Sequence, residues 1–263
     1  MPGVDAIALR PRHEDARLPA RESLEAGWLG RVPYRAAWAL QRRLARARAE
    51  DRIPDQLLLL EHPAVLTLGR NADPSHVLAS PDELRRRAIE VIEVERGGEV
   101  TYHGPGQLVA YPILRLDRRG LLLRPLVRAL EGAMAETCAH FGVAAGRRDG
   151  HPGCWCDLSG HAPRKIGALG LRVERGVTYH GIALNVAPEL RDFELIDPCG
   201  MAGTVSTSIA RELGGTDAMA ARLPEAAGAF AAALARRLDA PLADLPGTPE
   251  ERLAHLDRQA GAG

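Results

Sequence analysis

The spacing of apolar positions changes along the chain, and each change marks an element. Between Tyr34 and Glu50, Ala37, Leu40, Leu44 and Ala47 recur at helical spacing with arginines among them, which predicts an amphipathic surface helix. Pro54 and Asp55 mark a turn. Residues 57–60 are four leucines, read as a buried strand that ends at Glu61-His62-Pro63, and 65–68 reads as a second short strand. A Pro-Asp-Glu start predicts a helix over 81–90, because acidic residues suit the positive N-terminal end of a helix. Residues 91–95 alternate apolar and acidic, the period of a half-buried strand. Residues 108–114 read as strand, and 123–141 as a helix with Leu126, Leu130, Met134 and Cys138 on one face. Residues 166–171 and 182–186 read as strands, and Ser206, Thr207 and Ser208 offer capping hydroxyls to a helix over 209–213. Residues 217–238, alanine-rich with Leu and Phe at helical spacing, read as a closing helix. The expected organisation is a loosely held extension over 1–28, a main domain over 29–238 and a peripheral segment over 239–263.

Composition narrows what such a chain does. Hydrophobic residues make up 46%, enough for a sizeable core, and the formal net charge is zero, which argues against a nucleic-acid binder relying on a broad basic field. No apolar run approaches the length of a membrane span, and the N-terminus lacks a charged-then-apolar signal pattern. Four cysteines are unevenly spread, so thiols are expected rather than a disulfide frame. These features predict a soluble cytoplasmic protein.

Three stretches carry candidate chemistry. Residues 96–107 hold four glycines and a proline among Arg96, Thr101, Tyr102 and His103, too many for regular structure. Such a segment suits a ligand cradle, or a tight hairpin, or both. Around His151, Cys154, Cys156 and His161 a metal site is conceivable, but paired zinc-binding cysteines usually have two to four residues between them. Here one intervenes, so both side chains share one strand face, and small apolar thiols with no metal is the favoured reading. The third stretch surrounds Lys165. Of 34 Lys and Arg residues it alone is lysine, and an amine can shift its pKa where a guanidinium cannot.

That amine finds a use at Cys199. Asp197-Pro198-Cys199-Gly200 is a polar turn, with proline fixing the approach and glycine freeing the exit. A loop thiol ahead of a helix start, with an ammonium nearby, has a lowered pKa and attacks as thiolate. Cys138 sits at core spacing and is expected to be inert packing. The Thr-Tyr-His-Gly sequence at 101–104 recurs at 178–181, giving two strand-edge histidines, His103 and His180, of which His180 is taken as structural.

Together, Leu58-Leu59-Leu60-Glu61-His62-Pro63, the 96–107 loop, Lys165-Ile166-Gly167-Ala168-Leu169-Gly170, His180-Gly181-Ile182-Ala183-Leu184-Asn185 and Pro198-Cys199-Gly200 resemble the lipoyl(octanoyl) transferase family, in the family's order and over roughly residues 30–235. The resemblance implies an α/β (α+β) fold, a mixed, largely antiparallel sheet packed with helices, as in biotin and lipoate protein ligases. It implies transfer of octanoyl from octanoyl-acyl carrier protein to a lysine of lipoyl domains, those of 2-oxoacid dehydrogenases and the glycine cleavage H protein. It puts the acyl-thioester on Cys199 and the lysine that lowers its pKa on Lys165. Substrate-binding segments fall on Arg96, Gly97, Gly98, Glu99, Val100, Thr101, Tyr102 and His103, on Ala168, Leu169 and Gly170, and on Gly181, Ile182 and Ala183. No cofactor and no metal are implied, and the expected state is a monomer. The chain departs from the family in its long N-terminal extension, in Cys154 and Cys156, and in Gly167, where alanine is commoner. The alternatives are an ATP-dependent lipoate or biotin ligase on the same scaffold, against which the Pro-Cys-Gly turn argues, and a metal-binding module.

Overall fold

The computed structural model describes residues 22–160, 162–197, 204–215 and 217–261. In chain order the elements are β1 (Leu24–Arg31), α1 (Tyr34–Ala49), β2 (Asp55–Glu61), β3 (Val65–Leu68), α2 (Pro81–Arg86), β4 (Glu90–Glu93), β5 (Val100–His103), β6 (Gln107–Ile113) and α3 (Leu123–His140). They continue with β7 (Gly146–Arg148), β8 (His151–Cys156), β9 (Arg164–Glu174), β10 (Val177–Asn185), β11 (Val205–Ser206), α4 (Ile209–Glu212), α5 (Leu223–Arg237), β12 (Leu242–Asp244) and α6 (Pro249–Gly261).

Among the described residues the main sheet runs β12-β1-β2-β6-β10-β9-β8-β7, with β11 beside β9. The pairings from β2 through β7 are antiparallel; β1 pairs in parallel with both β2 and β12, and β11 pairs in parallel with β9. A second sheet, β4-β3-β5, stands apart. The expected mixed, largely antiparallel sheet packed with helices is what the chain forms. No described helix is long and apolar enough to cross a membrane.

Helices cover both faces of the main sheet. On one side α3 and α5 pack together over a core that includes Leu126, Met134, Phe230 and Leu234. On the other, α1 packs with α6 over Leu40, Leu44, Leu58 and Leu60. Strand β10 lies between these layers with all nine residues buried: Ile182 and Leu184 join the first core, and Val177, Tyr179 and Ala183 the second.

Several expectations change. Residues 96–107 are not irregular throughout: Val100–His103 is a strand, and its glycines flank it. Nor do they make a hairpin, because β5 belongs to the small sheet and β6 to the large one. Strand β1 starts at Leu24, inside the stretch expected to be a loose extension. The C-terminal segment supplies the edge strand β12 and the helix α6 that closes over α1. The closing helix is shorter than expected, with a 3₁₀ stretch over Asp217–Arg222 ahead of α5.

Candidate active site

Lys165 sits near the start of β9 between two partners. Trp155 of β8 pairs with it on one side, and Ser206 of β11 on the other. Its Nζ lies 5.5 Å from the Trp155 ring centroid, a cation–π contact. The Thr207 N–H donates to the Lys165 carbonyl at 2.9 Å.

A chain of buried hydrogen bonds holds β11 in that position. His103 Nδ1 lies 2.7 Å from Gln107 Oε1, which as a pure acceptor makes that ring nitrogen the donor. Gln107 Nε2 donates to Asn185 Oδ1 at 3.0 Å, and Asn185 Nδ2 donates to the Thr207 carbonyl at 2.9 Å. The Thr207 hydroxyl donates to Glu212 at 2.6 Å, and Arg164 grips both oxygens of Glu212 at 2.9 Å. The Arg164 guanidinium holds the Glu212 carboxyl below the usual carboxylate range. Ser208 caps α4 by accepting from the Arg211 N–H at 3.1 Å, as its position ahead of that helix predicts.

Residues 198–203, and with them Cys199 and its turn, lie outside the described residues, as does His161. The chain is pinned on both sides of that gap. Ahead of it, Ile196 bridges to Val77, and the Asp197 N–H donates to the His76 carbonyl at 2.8 Å. Beyond it come Thr204 and then β11 against Lys165.

Two adjoining chambers lie beside Lys165 and β9. The first, about 60 Å³, is lined by Arg96, Gly98, Glu99, Val100, Thr101, Lys165, Ala168 and Leu169 among the expected site residues. Gln107, Gly167, Asn185, Phe193 and Ser206 complete it. The second, about 40 Å³, shares Arg96, Thr101, Ala168 and Leu169. It adds His103, Gly170, Gly181, Ile182 and Ala183, all expected, and Tyr34, Tyr111 and His180. Two expected residues do not line either chamber. Gly97 instead ties its loop to β9 by donating to the Leu171 carbonyl at 3.0 Å. Tyr102 donates its hydroxyl to Asp192 at 2.7 Å and stacks edge-on at 5.2 Å against Phe193, so it supports the wall behind it.

Arg96 spans both chambers but is spoken for. Its Nη2 donates to the Thr67 carbonyl at 2.7 Å and to the Thr67 hydroxyl at 2.9 Å. The loop approaches β9 so closely that a Cβ on Gly170 would stand 2.6 Å from the Gly97 carbonyl oxygen.

The second chamber is built around imidazoles and phenols. Burial pushes His62 down to about 4 and His180 to about 4; it takes His103 to about 3, aided by neighbouring His62. All three are therefore neutral near pH 7. Burial also raises the Tyr34 and Tyr111 phenols, keeping them protonated. His180 takes a left-handed backbone, φ 55°. The ladder to β6 begins at Ile182–Ala110, and the His180 N–H donates instead to Gln41 Oε1 of α1 at 2.8 Å. The next residue is glycine because any Cβ there would drive into the Ala110 carbonyl. Neither histidine is a strand-edge residue exposed to solvent: His103 is 6% and His180 1% exposed.

Cys138, Cys154 and Cys156 are buried in the core of the α3–α5 layer. Burial pushes the Cys156 thiol up to about 12, and a hydrogen bond with Cys154 together with burial raises Cys138. All three are buried, Cys138 at the core spacing read from its helix and Cys154 and Cys156 two apart on β8. Among the described residues no cluster of His, Cys, Asp or Glu could hold a metal.

In overall architecture the chain matches lipoate protein ligases. A lipoate-protein ligase A solved with ATP aligns with a TM-score of 0.63 at 13% identity, covering 93% of this chain and 97% of that one. A bi-partite lipoate protein ligase from Thermoplasma acidophilum aligns at 0.60 and 12%, covering 90% and 93%. The family model of the lipoyl protein ligase A/B catalytic domain matches residues 33–231. An octanoyltransferase of Chloroflexus aggregans is 49% identical over 193 residues, 73% of this chain and 86% of that protein. One from Paraburkholderia phytofirmans is 41% identical over 226 residues, 84% and 89%. Within that ligase-like class, the chain belongs to the octanoyltransferase family.

Sequence reasoning missed Tyr34, Tyr111 and Phe193 as walls of the chambers. Tyr34 opens a helix, Tyr111 sits in a strand and Phe193 in a short 3₁₀ stretch, so each reads as ordinary core. Gln107 and Asn185 close the 96–107 and 180–185 motifs, and that position was the available signal.

Proposed function

We propose that this chain moves an octanoyl group from octanoyl-acyl carrier protein to a lysine of lipoyl domains, through a thioester on Cys199. The acceptors are the lipoyl domains of 2-oxoacid dehydrogenases and the glycine cleavage H protein. The observation that carries this reading is the framing of Lys165. It lines a narrow, partly apolar chamber, beside the strand that follows residues 198–203 along the chain.

In the first half-reaction the Cys199 thiolate attacks the carrier thioester carbonyl, and the phosphopantetheine thiolate leaves and takes a proton. In the second, the lipoyl-domain amine attacks the acyl-enzyme, loses a proton, and Cys199 leaves as thiolate. Lys165 stabilises the thiolate in both, and each unit by which it lowers the thiol pKa is worth about 1.4 kcal/mol. Its amine and the departing or arriving protons are matched, which a guanidinium cannot manage. The acyl group arrives already activated, so the reaction needs no nucleotide and no metal. The chain works as a monomer in the cytoplasm, with arginines at its surface steering acidic protein partners.

Incubation with octanoyl-acyl carrier protein and an isolated lipoyl domain, without ATP, should give an octanoylated lysine on the domain. Octanoate plus ATP in place of the thioester should give none. The reverse pattern would make the chain a ligase.

A further inference from the structure

Lys165 is held by more than its place in β9. Along the β8–β9 ladder Cys156 faces Arg164 and Trp155 faces Lys165, but Cys154 faces Gly167, so Ile166 is an extra residue on β9. A bulge of this kind bends its strand and re-aims the side chains beside it. Ile166 itself is buried in the core of the α3–α5 layer. Beside the bulge, Gly153 takes φ 120°, and a Cβ there would run into the Gly167 carbonyl and stand 3.3 Å from Lys165 Cε. The glycine therefore leaves room for the lysine stem, and its N–H donates to Oε1 of the buried Glu131 in α3 at 3.0 Å. At the end of the stem the ammonium lies over the Trp155 indole, Nζ 5.5 Å from the ring centroid. That ring is fixed: it is 1% exposed, its Nε1 donates to the His151 carbonyl at 3.0 Å, and the His151 imidazole meets it edge-on at 6.0 Å. Arg148, from β7 on the other side of β8, lies over the same ring at 5.2 Å.

We propose that Trp155 is a positioning residue for octanoyl transfer, its indole face holding the Lys165 ammonium in place for the thiol it activates. This deepens, and rests on, the reading of Lys165 as the residue that stabilises a thiolate. An amine on a four-carbon stem has many rotamers, and keeping it in one costs entropy unless a contact favours that one. A carboxylate would supply such a contact, but its charge would oppose the field that a thiolate needs, and it could take the proton. An aromatic face attracts a cation through its quadrupole while carrying no net charge and no basic site. The full positive charge of the ammonium then still acts on a neighbouring sulfur anion. The bulge, the Gly153 gap and the locked ring all act on the same side chain, which is what orienting it requires.

The test replaces Trp155, in the full chain, by mono-, di- and tetrafluorinated tryptophan. Fluorine keeps the ring's outline and its N–H but withdraws the negative potential of its face. Single-turnover acyl transfer from octanoyl-acyl carrier protein should slow stepwise with fluorine content, by about three- to tenfold at the tetrafluoro ring, the size of a desolvated cation–π contact. The donor concentration giving half the limiting rate should change little. Lys165 is the chain's single lysine, so lysine isotope-labelled at Cε gives one NMR signal that reports it directly. Its methylene protons should be displaced upfield by the indole ring current in the native chain and throughout the series. Arg148→Gln, which removes the ring's other cation, should leave the rate close to native. A rate that stays flat across the series while the lysine signal stays displaced overturns the proposal, since the ring would then serve packing alone. So does a native lysine signal with no ring-current displacement, or a loss in Arg148→Gln as large as in the tetrafluoro protein. A displaced lysine signal in a native chain that transfers no octanoyl instead refutes the transfer reading beneath it.

Discussion

Asp55 and His180 are both almost wholly buried polar residues of the main sheet, and the protein surrounds them in opposite ways. Asp55, 0% exposed, accepts from Arg48 Nε at 2.6 Å, from the Arg115 N–H at 3.0 Å and from Arg119. Arg48 in turn bonds Asp51 at 2.7 Å and Glu22. Charge is buried there because three donors meet the two oxygens, and the cluster ties the lead-in to β1, α1, β2 and the turn after β6 into one corner. His180 is buried neutral, and neither of its ring nitrogens has a hydrogen-bond partner among the described residues. A buried charge needs its partners, whereas an unpaired polar group is tolerated in a core only without charge.

That contrast can be broken from either end. The largest effect should come from Lys165: Lys165→Arg keeps the charge but should cut octanoyl transfer by about 10²–10⁴-fold, with the denaturation midpoint little changed. At the structural corner, Asp55→Ala leaves buried guanidinium groups without their acceptor. It should lower stability by about 3–5 kcal/mol in urea unfolding, while the activity of the folded fraction is kept.

The neutral imidazoles predict a pH dependence. His62, His103 and His180 hold folded values of about 4, 3 and 4, below the usual 6.5 or so. The unfolded chain therefore binds their protons more readily. Stability is fully held above about pH 6.5 and falls as pH drops toward 4. Unfolding free energies measured across that window should slope downward with acid, and His62→Gln should flatten the slope. The smallest effect concerns Gly167, where an added Cβ would stand 2.6 Å from Met134 Sδ. A thioether can yield, so Gly167→Ala should cost about 1 kcal/mol, and a smaller residue at 134 should recover part of it.

Much of the site is readable in the sequence because its chemistry is locally unusual. A single lysine and a run of glycines around an arginine survive without any three-dimensional knowledge. The rest depends on long-range pairing. Leu24–Arg31 carries two glycines and charges at both ends, which hides a strand that only its parallel partners β2 and β12 stabilise. The glycines of 96–107 mask Val100–His103, since they mark where the chain leaves one sheet for the other rather than a lack of structure. His180 reads as structural because a positive φ at a non-glycine residue leaves no mark in sequence. Its buried, left-handed setting emerges only when Gln41, distant along the chain, is seen to hold its N–H.

The account depends most on a covalent acyl group at one sulfur. Octanoyl-acyl carrier protein should be mixed with the protein, quenched in acid and digested, and the peptides weighed. One hydroxylamine-labile octanoyl group should map to the peptide containing Cys199 and be absent from Cys199→Ser. An octanoyl group on another residue, or one retained in Cys199→Ser, would contradict it.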